Sequence, residues 1–149
     1  MYWLGREWPY KNVQPRIIAE PFLEDSVSGE LVDYKIHCFN GKAKLILVCA
    51  GRFKGGLTED FFDTEWNHLN VRRPGHDNSK ESIEPPTKLS KMISIAEQLS
   101  NNHIFLRVDF YVVDQKLYIG ELTFYPAAGV EPFIPESFDT VMGSWMKLS

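Results

Sequence analysis

The dipeptide Asn40-Gly41 stands between two runs of β-forming residues, Leu31 to Phe39 and Lys42 to Ala50. Asn and Gly accept the left-handed backbone that both central positions of a tight hairpin turn require, so this stretch predicts a β-hairpin with a two-residue loop. Phe39 then faces Lys42, and counting outward Val32 faces Cys49. In that register Cys38 lies about 20 Å from Cys49 at the usual rise per strand residue. A disulfide cannot span that distance. Both cysteines are expected as small core residues in a reducing compartment.

A second hairpin is written near the C-terminus. The run from Ile104 to Val113 alternates, and Leu117 to Thr123 alternates again after the polar turn Asp114-Gln115-Lys116. Between the hairpins, Leu89, Met92, Ile93, Ala96 and Leu99 recur at helical spacing, with Thr87 placed to cap their helix. Residues 51 to 86 carry Gly55-Gly56, Pro74-Gly75 and Pro85-Pro86 among many charges, and predict a long binding or lid loop with at most short elements. The run Ile17 to Leu23 predicts a short buried strand stopped by Pro21, since proline cannot donate to a ladder. Ser28-Gly29-Glu30 reads as a turn, and Ser137 to Leu148 as a short closing helix. Met1 to Gln14 has no clean period and reads as a truncated edge.

These elements predict one α+β domain over residues 1–149, an antiparallel sheet with packed helices. The 44% hydrophobic content suffices for a real core. A net charge of −4 gives no basic face for nucleic acid. No stretch approaches the roughly 18 apolar residues of a membrane span. Met1 to Tyr10 carries charge, Pro and Trp where a signal peptide is apolar, so the chain is expected in the cytoplasm.

The chemistry depends on the register of the second hairpin. Leu106, Val108, Phe110 and Val112 share an apolar face, and Arg107 and Asp109 lie on the other. A two-residue loop would pair Val113 with Lys116 and send Glu121 to the side away from Asp109. A three-residue loop, Asp114 to Lys116, pairs Asp109 with Glu121 and Arg107 with Thr123 on one face. Two carboxylates are then opposed with Cβ atoms roughly 5 Å apart, destabilising unless something bridges them. Magnesium, which takes hard oxygen ligands and pairs carboxylates with substrate phosphates, meets that need. A solvent-facing hairpin in which Arg107 offsets two exposed acids meets it too.

The stretch Arg107-Val108-Asp109-Phe110, a turn, then Tyr118-Ile119-Gly120-Glu121-Leu122-Thr123-Phe124-Tyr125-Pro126 resembles the last hairpin of the ATP-grasp superfamily. That resemblance implies Asp109 and Glu121 as metal ligands, Thr123 in place of a ligating asparagine, and Arg107 as the catalytic arginine that steadies an acyl-phosphate. Ile17 to Leu23 resembles the hinge strand whose backbone meets adenine, which implies nucleotide contacts at Glu20 and Phe22. Asp33-Tyr34-Lys35 resembles the element in which the acid meets ribose, implying Asp33 and Lys35. In order and content, Pro15 to Glu20, Asp33 to Lys42, Phe62 to Asn67 and the metal hairpin are similar to the TupA-like ATP-grasp proteins.

The resemblance implies ATP and Mg2+ as cofactors and a carboxylate-amine ligase activity linked to cell-surface polysaccharide or teichuronopeptide biosynthesis. Rival readings are a non-catalytic binding or structural remnant and a glycosyltransferase of polysaccharide synthesis. The lysines that first grip the phosphates and a Gly-rich lid strand are expected to precede this portion, and Lys11, Lys35 and Lys54 do not take those roles. The expected partners are a carboxylate-bearing or saccharide substrate, and either a second copy or another chain supplying the missing portion. His68, His76 and His103 lack metal-ligand spacing. Arg72-Arg73 and Arg52 are cations within reach of a phosphate or acidic substrate, or ordinary loop charges. Phe53, Phe61, Phe62 and Trp66 are expected to pack the loop onto the sheet. No Walker A, Gly-x-Ser-x-Gly or Cys-x-x-Cys is present.

Overall fold

A computed structural model describes residues 5–26, 29–52 and 55–148. Met1 to Leu4, Ser28 of the expected turn, and Phe53 and Lys54 of the loop lie outside the described residues. The described residues form an α+β fold: five strands, β1 (Asp33–Phe39), β2 (Lys42–Ala50), β3 (Thr58–Phe62), β4 (Phe105–Val113) and β5 (Lys116–Thr123), with helices α1 (Leu89–Ser100) and α2 (Ser137–Trp145). The strands make one antiparallel sheet in the order β3-β2-β1-β4-β5. Among the described residues no helix is long and apolar enough to cross a membrane.

The Asn-Gly hairpin forms as its turn residues dictate, with Asn40 at φ 48° and Gly41 at φ 77°. Its register differs from simple counting beyond Cys38. Phe39 pairs with Lys42 and Cys38 with Ala43, but His37 pairs with Leu45, so Lys44 is an extra residue and Asp33, rather than Val32, faces Cys49. The bulge has a packing cause. It lets Ala43 and Ile46, three positions apart, enter the same core. The thiols are free and buried, and burial pushes Cys38 up to about 11 and Cys49 up to about 12.

The sheet buries both faces. On one, Ile36, Ile46, Val48, Leu106, Val108 and Phe110 meet Met92 and Ala96 of α1. On the other, Leu45, Leu47 and Phe61 meet Phe133 and residues of α2, including Phe138 and Trp145. The lysine Lys88 precedes α1 without a side-chain cap, and the Thr87 hydroxyl instead meets Gln115 Oε1 at 3.4 Å, because Thr87 is directed across to the β4–β5 turn. The closing helix ends at Trp145. Asn40 fastens the chain just beyond that helix, donating from Nδ2 to the Lys147 carbonyl at 3.1 Å and accepting from Lys147 N–H at 2.8 Å.

Two expected features are corrected. Ile17 to Leu23 is not a strand, and Ile17, Ile18 and Phe22 are 102%, 75% and 75% exposed. Pro15 precedes the run and Pro21 interrupts it, and neither supplies a ladder donor, so apolar character alone does not seat it in the sheet. The β4–β5 loop holds two residues, not three: Val113 pairs with Lys116, and Asp114 and Gln115 take φ 49° and 63°.

Asp109 nevertheless faces Glu121. The pairing runs from Val113 with Lys116 to Phe110 with Ile119, then skips Gly120, so that Asp109 meets Glu121 and Arg107 meets Thr123. Leu117 and Ile119 therefore stay on the α1 side while Glu121 and Thr123 turn to the other. Tyr111 lies over Gly120 closely enough that a Cβ added there would stand 2.3 Å from Tyr111 Cε2. A side chain at the bulge would have to displace this ring. Gly120→Ala is expected to lower stability by about 1–3 kcal/mol, as overpacking does. In a Tyr111→Ala background the same change should cost less than half as much in urea unfolding, and an unchanged cost would show that the ring is not the constraint.

Candidate functional site

Register on the β1–β4–β5 half of the sheet stacks polar residues into rows on the face opposite α1. Lys35, Asp109 and Glu121 form one row, His37, Arg107 and Thr123 the next. Asp33 and Tyr111 begin a third. The alternation of β1 thus carries Asp33, Lys35 and His37 to the side of the β4 acid.

The charges alternate in sign along a connected path. Lys35 Nζ stands 2.5 Å from Asp33 Oδ2 and 2.5 Å from Asp109 Oδ2. Arg107 grips Asp109 with two bonds, Nε to Oδ1 at 2.7 Å and Nη2 to Oδ2 at 2.8 Å, and its Nη2 reaches Glu121 Oε2 at 3.3 Å. Asp109 is 1% exposed, and its carboxylate is held by this pair of cations. The Glu121 side chain is 60% exposed and closes the row at the solvent edge. Arg52 stands 3.9 Å from Asp33, at the start of the long loop.

Burial and charge act against each other here. At Asp33 burial raises the carboxyl's pKa, with Lys35 opposing. At Lys35 burial disfavours the ammonium, but hydrogen bonds and the charges of Asp109 and Asp33 outweigh it and lift its pKa. His37 is driven down to about 3, by burial first and then by the Arg107 charge. It is a neutral ring whose Nδ1 lies 3.2 Å from the Lys35 carbonyl. Two polar atoms of the site, Asp33 Oδ1 and Thr123 Oγ1, are buried with no hydrogen-bond partner.

The structure brings together Asp33, Lys35, Arg107, Asp109, Glu121 and Thr123. Glu20 and Phe22 lie exposed in the segment that precedes β1, outside the sheet that carries the others. A second ionic group on the same face, at the β3 edge, was not legible in the sequence. Glu59, 3% exposed, is held by Arg73 through Nε at 2.7 Å and through Nη2, and Arg73 Nη1 also binds Glu131. Here too burial opposes the charge of Arg73, and the two acids lift its pKa. His76 Nδ1 lies 3.5 Å from Glu59. Thr58 to Phe62 has no polar-apolar alternation, and both partners of Glu59 are far along the chain, so no local pattern announces the cluster. Asp60, facing the α1 side, is held by the Ser79 N–H and His68. His103 packs against Phe124, and Trp66 stacks on Phe62 with ring centres 4.4 Å apart.

The chain matches the family model described as TupA-like ATPgrasp over residues 1–147. The chain belongs to the TupA-like ATP-grasp family. Comparison with curated proteins and with solved structures finds no match. The TupA-like family match spans both hairpins, the helix between them and the polar face they share.

In this TupA-like chain the buried neutral His37 has a measurable signature. Below pH 6.5 the unfolded chain takes up a proton at this position, and the folded chain does not until about pH 3. Folding stability from this residue is therefore full above 6.5 and is lost as pH falls, by about 2 kcal/mol between pH 7 and 5. Urea unfolding at those two pH values should show that loss, and His37→Gln should remove it. An identical pH dependence in the variant would contradict a buried neutral ring.

Proposed function

We propose that the polar face of β1, β4 and β5 binds ATP with magnesium, and that the protein acts in ATP-dependent joining of a carboxylate to an amine in the synthesis of a cell-surface polysaccharide or teichuronopeptide. One observation carries the reading. Asp109 and Glu121 oppose each other across a bulged pair of strands, with Arg107 spanning both.

The donors suit magnesium in kind: two carboxylates and the unpartnered Thr123 hydroxyl, all hard oxygens. Among the described residues no group of three or more His, Cys, Asp or Glu could hold a metal alone. An ion at this corner would complete its shell with phosphate oxygens, the usual habit of magnesium at nucleotide sites. When bound it supplies charge neutralisation to the phosphates.

The chain's own groups have separate tasks. Lys35, at the row's buried end, presents a fixed positive charge, and Asp33 serves the ribose hydroxyls. Arg107 orients the acyl carboxylate and offsets charge as one of its oxygens attacks the γ-phosphorus and the bond to ADP breaks. The amine then attacks the acyl carbon, the carbon–oxygen bond to phosphate breaks, and the amine's proton leaves to solvent. Preorganised charge of this kind is worth most where water is excluded, as it is around Asp109.

A second reading, a non-catalytic binding member, is favoured by the complete pairing of Asp109 with Lys35 and Arg107, which leaves its oxygens engaged without any metal. Calorimetric titration separates the two. ATP binding should require magnesium and weaken at least ten-fold in Glu121→Gln, whose exposed position should leave stability within about 0.5 kcal/mol of the parent. Binding indifferent to both magnesium and Glu121 would sink the metal corner, and no ATP binding would favour the second reading.

A further inference from the structure

A cleft of about 340 Å³ opens on the same face, between the sheet and α2, with Arg107 in its wall. Its lining is dominated by rings and aliphatic groups: Phe39, Leu47, Phe61, Phe105, Phe124 and Phe133. The polar groups beside them divide: some are engaged within the fold, while Asp139 and Tyr125 line the cleft from exposed positions. Arg73 is bound to Glu59 and Glu131, and His37 to the Lys35 carbonyl. Arg107 uses Nε and Nη2 on Asp109 and Glu121, which leaves Nη1 outside these bonds.

From this distribution we infer that the cleft takes the carboxylate substrate, and that this substrate is an acid with an apolar, ring-sized body rather than a saccharide. The inference rests on the ligase reading above, in which Arg107 meets the acyl carboxylate. A sugar brings a hydroxyl on nearly every carbon, and each one buried without a partner costs free energy. A wall of phenylalanines in which Arg73 and Glu131 are already paired, with Asp139 at an exposed position of the lining, offers few buried partners. An aromatic or aliphatic acid asks for one anion site and apolar surface, the typical make-up of a small-molecule pocket of this size. Its carboxylate on Arg107 lies beside Asp109, where the phosphates are placed by the same reading. The saccharide polymer then supplies the amine from outside the cleft.

Three probes isolate the two requirements: 3-phenylpropionate, its neutral amide, and glucuronate, which keeps the carboxylate on a sugar body. Titrations are run with and without a non-hydrolysable ATP analogue and magnesium. The expected result is 3-phenylpropionate bound at least ten-fold more tightly than either of the others. Gly143 lines the cleft from α2, and a Cβ there meets nothing within 4 Å. Gly143→Leu should therefore fill the cleft while improving helix propensity, abolishing acid binding and preserving the fold. Glucuronate binding as tightly as 3-phenylpropionate, no selective uptake under either condition, or selective binding that survives Gly143→Leu overturns the assignment. Each does so whatever the ATP titration gives. Loss of ATP binding beside selective acid uptake overturns the ligase reading instead and leaves the cleft assigned.

Discussion

Gly120 is the extra residue that brings Glu121 and Thr123 onto the face of Asp109 and Arg107. With a two-residue loop and unbroken pairing, every residue of β5 beyond the turn would keep the opposite phase. Glu121 would then point toward the α1 side, and Asp109 would face a glycine. The bulge changes the phase once, at a glycine where an added Cβ would clash with the Tyr111 ring. Leu117 and Ile119 remain available to the apolar side, and the next acid is delivered to the polar side. One strand thereby serves both the core and the site.

What the bulge assembles is held by charge. Asp33, Lys35, Asp109, Arg107 and Glu121 alternate in sign from the buried end to the solvent edge. A buried ion pair contributes little net stability, because desolvation offsets its attraction, but removing one partner strands the other at a cost of about 3–5 kcal/mol. The row is better understood as a fixed electrostatic surface than as a source of stability. The Arg73 cluster at the β3 edge holds Glu131 through its side chain, and Arg72 exchanges two backbone hydrogen bonds with Ile134. The segment that walls the cleft is therefore tied to the sheet from its far side.

Much of the fold was legible because its signals are local. Asn40-Gly41 specifies its own turn, the alternation of Leu106 to Val112 specifies its buried face, and Leu89 to Leu99 marks its helix. The pairing of Asp109 with Glu121 was also legible, although by a different route. Loop length is the determinant that simple counting suggests, whereas a glycine inside a strand, itself a known sign of a bulge, carries the information. Strand β3 was hidden because Glu59 and Asp60 are buried acids, and what permits their burial is Arg73, Ser79 and His68 from later in the loop. The apolar run Ile17 to Leu23 misled for the converse reason: hydrophobicity says that burial is favourable, but a strand also needs a neighbour with which to pair.

The metal-nucleotide corner proposed at Asp109 and Glu121 depends on the bulge. Carbon-13 NMR of the side-chain carboxylates, with Mn2+ and ATP added in substoichiometric amounts, addresses it at single-residue resolution. Paramagnetic broadening should fall on Asp109 and Glu121 and spare Glu59 and Asp60. Broadening centred on Glu59 or Asp60, or none at Asp109 and Glu121 with ATP bound, would contradict the account.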